Sequence, residues 1–233
     1  MSQLIQMRQR IKAIETIKKV THAMRLISMS SHSQLRHTLE PLKAYRHEIV
    51  SLLSNIRTHA TDWTHPLLGA HEKELNTRLL VIVGSQKGLC GSFNTTLLKR
   101  ADDYLKEHGT NASIIAIGKK AIDYAQTMAP DQTVEIYSDF NIRTLPKIAH
   151  ELTDYIAKNA QTFGYVDVLS NEFVSFVLQC PHTTAIVPVV EPKTEDKRST
   201  ESYLWEMPAE TILDALVEQY LNSSVMHLLY QSL

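Results

Sequence analysis

The sequence predicts an α/β protein, a parallel or mostly parallel sheet with helices on its faces and a long helix at each end of the chain. Three observations predict it. Residues 2–58 contain no glycine and repeat apolar side chains at spacings of three and four, the period of a helix. Between residues 78 and 190, short β-branched runs alternate with amphipathic stretches across short loops, the pattern of βα units. From Pro208 onward a second helical stripe runs to the end.

In the amino-terminal stripe the apolar residues are Leu4, Met7, Ile11, Ile14, Ile17, Met24 and Ile27. After a polar, histidine-bearing stretch at 28–37 the stripe resumes with Leu39, Leu42, Tyr45, Ile49, Leu52, Leu53 and Ile56. Pro41 should kink or interrupt this helix, because proline removes a backbone donor and crowds the preceding turn. A helix of ~55 residues at ~1.5 Å each extends ~80 Å, so it cannot bury its stripe on one small domain. It needs a second helix or a partner, as in a coiled coil.

THPLLG at 64–69 reads as the loop out of that helix and 78–83 as a buried first strand. Helices are expected at 95–107, 121–128 and 145–160, and strands at 113–118, 166–169, 173–178 and 184–190. Residues 191–202, EPKTEDKRSTES, form a charged linker. Pro208 then opens a helix striped by Ile212, Leu213, Leu216, Tyr220, Leu221, Val225, Leu228 and Leu229, proline being well placed in a first turn. The stripe reaches Leu233 with no glycine, cap or polar fade, so the chain is expected to stop mid-element. The expected organisation is an amino-terminal helix at 1–60, an α/β domain at 61–190, a linker at 191–202 and a carboxy-terminal helix at 203–233.

A chain of 233 residues suits one globular domain plus extended helix. Its longest apolar run, 79–83, is far below the ~20 residues that span a bilayer, so the expectation is a soluble chain whose membrane association is indirect. Cys90 and Cys180 are its only cysteines, too few for a disulfide framework and consistent with a reducing compartment. The formal charge of −1 conceals +7 in residues 1–58 against −8 in the remainder. Such asymmetry points to a partner of opposite sign, an acidic protein surface or nucleic acid, or else to a solvated helix face.

The most informative stretch is 81–94, VIVGSQKGLCGSFN, where an apolar strand gives way to a glycine-punctuated loop that opens a helix. Loops of this kind bring backbone close to a partner and present free N–H groups. The nucleotide patterns do not fit. A P-loop needs Lys and Ser or Thr after its last glycine, whereas Ser92 follows Gly91 and Lys87 precedes it; the intervals of Gly84, Gly88 and Gly91 are not G-x-G-x-x-G. The loop is therefore expected to touch protein. Catalytic and metal patterns are equally wanting: His32 and His37 are five apart, His71-Glu72 lacks a second histidine at helical spacing, and Asp102-Asp103 reads as a solvated helix face.

GLCGSFN after an apolar strand resembles the GLCGxFN signature of the gamma subunit of F-type ATP synthases, the central rotor shaft. RIKAIETIKKVTHAMRLIS at 10–28 is similar to that family's amino-terminal pattern RIxSIxxTxKITxAMxMVA, and 203–233 is similar to its carboxy-terminal YxxEP and LDALxxxYxNS motifs. The resemblance implies a Rossmann-like parallel-sheet foot domain, flanked by terminal helices that form an antiparallel coiled coil. It implies a non-catalytic rotor without a cofactor, coupling ion translocation through the membrane ring to ATP synthesis or hydrolysis on the beta subunits; ATP, ADP and magnesium would belong to other chains. By resemblance Lys19, Thr21 and Met24 face the beta subunits, with Arg8, Arg10, Lys12, Lys18 and Arg25 adding attraction to an acidic ring. Met24 suits coiled-coil core and contact equally. Gly88, Leu89, Cys90, Gly91 and Phe93 match the foot loop, and Tyr203 and Glu206 the approach to the second helix, a region that meets the epsilon subunit and the membrane c-ring. The implied partners are thus the alpha, beta and epsilon subunits and the c-ring, with no nucleic acid, at the cytoplasmic side of the bacterial cell membrane as a peripheral component. Two departures stand out: the family's carboxy-terminal helix continues for many turns beyond the match, and 28–33 reads SMSSHS where small and basic residues are usual. The alternatives are a truncated gamma-like interaction protein without rotary function, and a nucleotide-binding enzyme using the loop at 84–91.

Overall fold

The structure is a computed structural model that describes residues 2–57, 60, 63–65, 67, 77–175, 178–188 and 206–233. Among these residues five helices, α1 (Ser2–Arg57), α2 (Phe93–His108), α3 (Lys119–Met128), α4 (Leu145–Lys158) and α5 (Ala209–Gln231), accompany five strands, β1 (Arg78–Val83), β2 (Ala112–Ile117), β3 (Thr133–Tyr137), β4 (Tyr165–Phe173) and β5 (Gln179–Val187). The loop expected at 64–69 is described only in part, and the linker expected at 191–202 lies outside the described residues.

The strands form one sheet in the order β3-β2-β1-β4-β5. β1 pairs in parallel with β2 and β4, and β2 with β3, while β5 returns antiparallel along β4. The mostly parallel sheet expected from the sequence is therefore present, with one antiparallel edge. Leu79 to Val83 are fully buried because helices cover both faces, which is why these strands read as unbroken apolar runs rather than alternating ones. Leu80, Ile82, Ile114 and Ala116 pack with Leu97, Ala101, Tyr104, Ile122 and Ala125 of α2 and α3. The intervening side chains turn to the opposite face, where α4 and α5 bring buried Leu145, Ile148, Leu152, Leu213, Val217 and Leu221. Each fully buried Leu or Ile contributes roughly 1.5–3 kcal/mol of transfer free energy.

Two features of the expected strand pattern need correction. The run at 173–178 is not a strand: β4 extends to Phe173, a turn closes between Ser175 and Leu178, and β5 starts at Gln179. Its apolar residues stay outside, Val174 at 57% and Leu178 at 52% exposure, so apolarity there marks a hairpin tip rather than a core strand. β3 went unpredicted because it is an edge strand whose middle three residues are exposed, leaving no burial pattern to read. Of the two outcomes expected at Pro41, interruption does not occur, since the residue lies inside α1.

The chain divides into two compact units, Met1–Pro41 and Leu42–Leu233. In the first, residues 3–31 are helical and exposed throughout. In the second, the remaining part of α1 runs antiparallel to α5. Lys43 and Arg46 face His227, the Tyr45 hydroxyl donates to Gln219 Oε1 at 3.3 Å, and beyond the helix end Trp63 Nε1 donates to Asp214 Oδ1 at 2.9 Å. From Lys43 and Arg46 at His227 to Trp63 at Asp214, residue numbers rise along one side of this contact as they fall along the other. Ile49, Leu53 and Ile56 in this part of α1 are buried. Covered also by α4 and β4, α5 has no exposed residue from Tyr220 to Gln231, where Ser223, Ser224 and His227 are buried with its apolar residues, while its first half keeps Glu210, Asp214 and Glu218 exposed.

Candidate functional site

Because β1 lies between β2 and β4, the chain leaves it in one direction through α2 and α3 and returns on the other side through α4. The crevice beyond the carboxyl ends of β1 and β4 is therefore a topological switch point, where open α/β sheets bind ligands. The glycine-punctuated loop, residues 84–92, occupies it.

The base of the loop is tied down by its own chain. Asn94 Oδ1 accepts from Ser85 N at 3.1 Å, and Asn94 Nδ2 donates to Ser85 Oγ at 2.8 Å. Gln86 Oε1 accepts from Lys119 N at 3.2 Å, and Ser85 O from Lys120 N at 3.3 Å. Two backbone donors that could cradle a phosphate, Ser85 N and Lys119 N, are thus spent internally, which speaks against the nucleotide-binding alternative. Gly84 allows close packing against the first turn of α3, and Gly118 close packing against the loop itself. A Cβ on Gly84 would lie 2.8 Å from Ala121 N, and one on Gly118, whose φ is +84°, would collide with Gly84 O.

Beyond this base the loop projects into solvent, with residues 86–92 all exposed. Leu89 has a positive φ of 63° and is 89% exposed, a costly way to place an apolar side chain unless something covers it. A Cβ placed on Gly88 or Gly91 would meet nothing within 4 Å, and Gly91 has φ +57°, so Gly91 answers to the turn while Gly88 is open to approach. Cys90 is exposed and its thiol bonds back to Lys87 O and Gly88 O. Phe93 is half-buried at the start of α2; its carbonyl accepts from Asn171 Nδ2 at 3.2 Å. Since β4 runs parallel to β1, the hairpin tip with Val174 and Leu178 belongs to the same end of the sheet.

Ser85, Asn94 and Asn171, the residues that brace the loop, were not singled out from the sequence. Asn94 sits in the motif and was findable; Asn171 is 78 residues away and carries no local signal.

Glu206 is exposed ahead of α5, and among the described residues no hydrogen bond or ion pair joins it to the loop; Tyr203 lies outside the described residues. Arg8, Arg10, Lys19, Thr21, Met24 and Arg25 are all exposed on α1, Met24 at 42%. The Thr21 hydroxyl donates to Ile17 O at 2.8 Å. Residues 2–31 hold six Lys or Arg against one acid, Glu15. Beside and among the cations lie Leu4, Met7, Ile11, Ile14 and Ile17 at 57–69% exposure, so apolar and cationic side chains share one exposed helix.

No cluster that could hold a metal ion occurs among the described residues. The strongly shifted tyrosine titrations are structural. Burial and the carboxylate of Asp167 raise the Tyr104 phenol, whose hydroxyl donates to Asp167 Oδ2 at 2.5 Å, and Arg78 reaches the same oxygen at 3.4 Å. Burial and Asp102 raise Tyr124 likewise.

A family model described as "ATP synthase" matches residues 3–233. The chain belongs to the ATP synthase gamma family. It is 28% identical over 230 residues to the ATP synthase gamma chain of Desulforamulus reducens, covering 97% of this chain and 79% of that one. Against the gamma chain of Mycolicibacterium vanbaalenii it is 29% identical over 245 residues, covering 95% and 78%. In fold it is similar to a chain of the Tetrahymena thermophila mitochondrial ATP synthase central stalk and c-ring structure, with TM-score 0.67, 20% identity, and 91% and 92% of the two chains covered. This gamma-family chain is a non-catalytic component of the F1 rotor, and no helix among its described residues is long and apolar enough to cross a membrane.

Proposed function

We propose that the chain couples rotation to catalysis by contact alone, its helix α1 meeting the alpha and beta subunits of F1 and its glycine loop meeting the epsilon subunit and the membrane ring. The carrying observation is α1 itself. Residues 3–31 expose apolar and cationic side chains together, a combination that suits insertion into a sleeve with an apolar lining and acidic rim. Arg8, Arg10, Lys19, Thr21, Met24 and Arg25 are the proposed shaft contacts. Gly88, Leu89, Cys90, Gly91 and Phe93, with Tyr203 and Glu206, are the proposed foot contacts. Rigid bracing of the loop base by Asn94 and Gln86 supports this, because torque passes through a stiff connection and is lost in a soft one. The proposed location is peripheral, on the cytoplasmic side of a bacterial membrane.

The test is ATP hydrolysis by cognate alpha and beta subunits assembled with and without the chain, with its recovery in the purified complex. The reading requires both incorporation and raised turnover. Incorporation without turnover favours a bound, non-rotary gamma-like protein, and absence from the complex overturns the proposal.

A further inference from the structure

The two edges of the sheet are guarded differently. The β5 edge contains Pro181, paired with Asn171, and proline on an edge blocks further pairing. The β3 edge, TVEIY, contains no proline, lysine or arginine; its only irregularity is a register shift against β2 between Ile114 and Ile115. Val134 is 48% and Ile136 44% exposed, and Met128, at the end of α3, is 62% exposed. Gln126, Pro130, Thr133, Val134, Glu135 and Ile136 line a shallow hollow beside this edge. An unpaired strand with apolar flanks is a template for another strand.

Charge decides the occupant. Glu135 is exposed and has no cation partner among the described residues. Its charge acts on Tyr137, whose phenol burial pushes up to about 12; Glu151 on the same side is ion-paired with Lys147 at 3.5 Å, which leaves the Glu135 carboxylate as the charge at this edge that a cation could meet. A second copy of the chain fits poorly: two-fold antiparallel pairing centred on the strand sets Glu135 against Glu135, and like charges directly opposite are destabilising.

We propose that β3 is a docking edge for an extended strand of a different polypeptide, one with a basic side chain opposite Glu135 and apolar side chains over Val134 and Ile136. The proposal is independent of the rotor reading, and either can fail alone.

The probes are two short labelled peptides of alternating threonine and valine, one with a central lysine and one with a central glutamate. Each is titrated into the full chain by fluorescence anisotropy, with hydrogen–deuterium exchange read across the sheet. The lysine peptide should bind about five- to tenfold more tightly than the glutamate peptide and protect the amides of β3. Glu135→Lys should reverse the preference, and Glu135→Gln, a milder change to the fold, should abolish it. Equal binding of both peptides, protection away from β3, or dimerisation of the chain through β3 would each overturn the proposal.

Discussion

His227 sits on α5 at 7% exposure, beside Arg46 and Lys43 of α1 and with no partner for its Nδ1 among the described residues. Burial, and then the two cations, push its pKa down to about 4 from the usual 6.5. The imidazole is thus neutral in the fold, while the unfolded chain takes up its proton near 6.5. The unfolded state binds more protons between these values, so stability is complete above pH 6.5 and declines as pH falls towards 4, by about 1–3 kcal/mol in all. Urea denaturation at pH 7 and pH 4.5 should show this loss, and His227→Gln should flatten it. The glycines make a second contrast. Gly118→Ala meets both a positive φ and the Gly84 carbonyl and should cost about 2 kcal/mol or more. Gly88→Ala meets neither and should leave the melting temperature unchanged while weakening incorporation into the complex. If both variants lose stability alike, Gly88 serves the fold rather than a partner.

At the scale of elements, Pro41 inside α1 offers a direct test of helix continuity. An interior proline lacks one helical hydrogen bond and costs ~3 kcal/mol relative to alanine; Pro41→Ala should raise thermal stability and helical circular dichroism. No gain would mean that the proline conformation is built into the packing there. What the sequence revealed follows burial closely. β1 and β2 were legible because both faces are covered, whereas β3 had no buried residue to mark it, and exposed Val174 and Leu178 imitated a strand. The loop was legible through its glycines, but its brace from Asn171 is a tertiary contact that no local pattern encodes.

For the molecule as a whole, the charge division of +7 in residues 1–58 against −8 beyond them sets how association should respond to salt. Charges on an exposed helix act at a distance of about a Debye length, ~10 Å at 0.1 M and ~3 Å at 1 M salt, so under the proposed shaft role they are expected to govern encounter, and the apolar side chains retention. Assembly with alpha and beta subunits, followed by stopped-flow fluorescence, should therefore slow by roughly tenfold between low and high salt, with dissociation nearly constant. Replacing Arg8, Arg10 and Lys12 by glutamine should lower the association rate at low salt and reduce its salt dependence. Replacing Ile14 and Ile17, at 65% and 63% exposure, by serine should instead raise the dissociation rate and leave the salt slope alone. An association rate indifferent to both salt and the basic residues would remove electrostatic steering from the mechanism and leave the apolar side chains as the sole basis of shaft insertion.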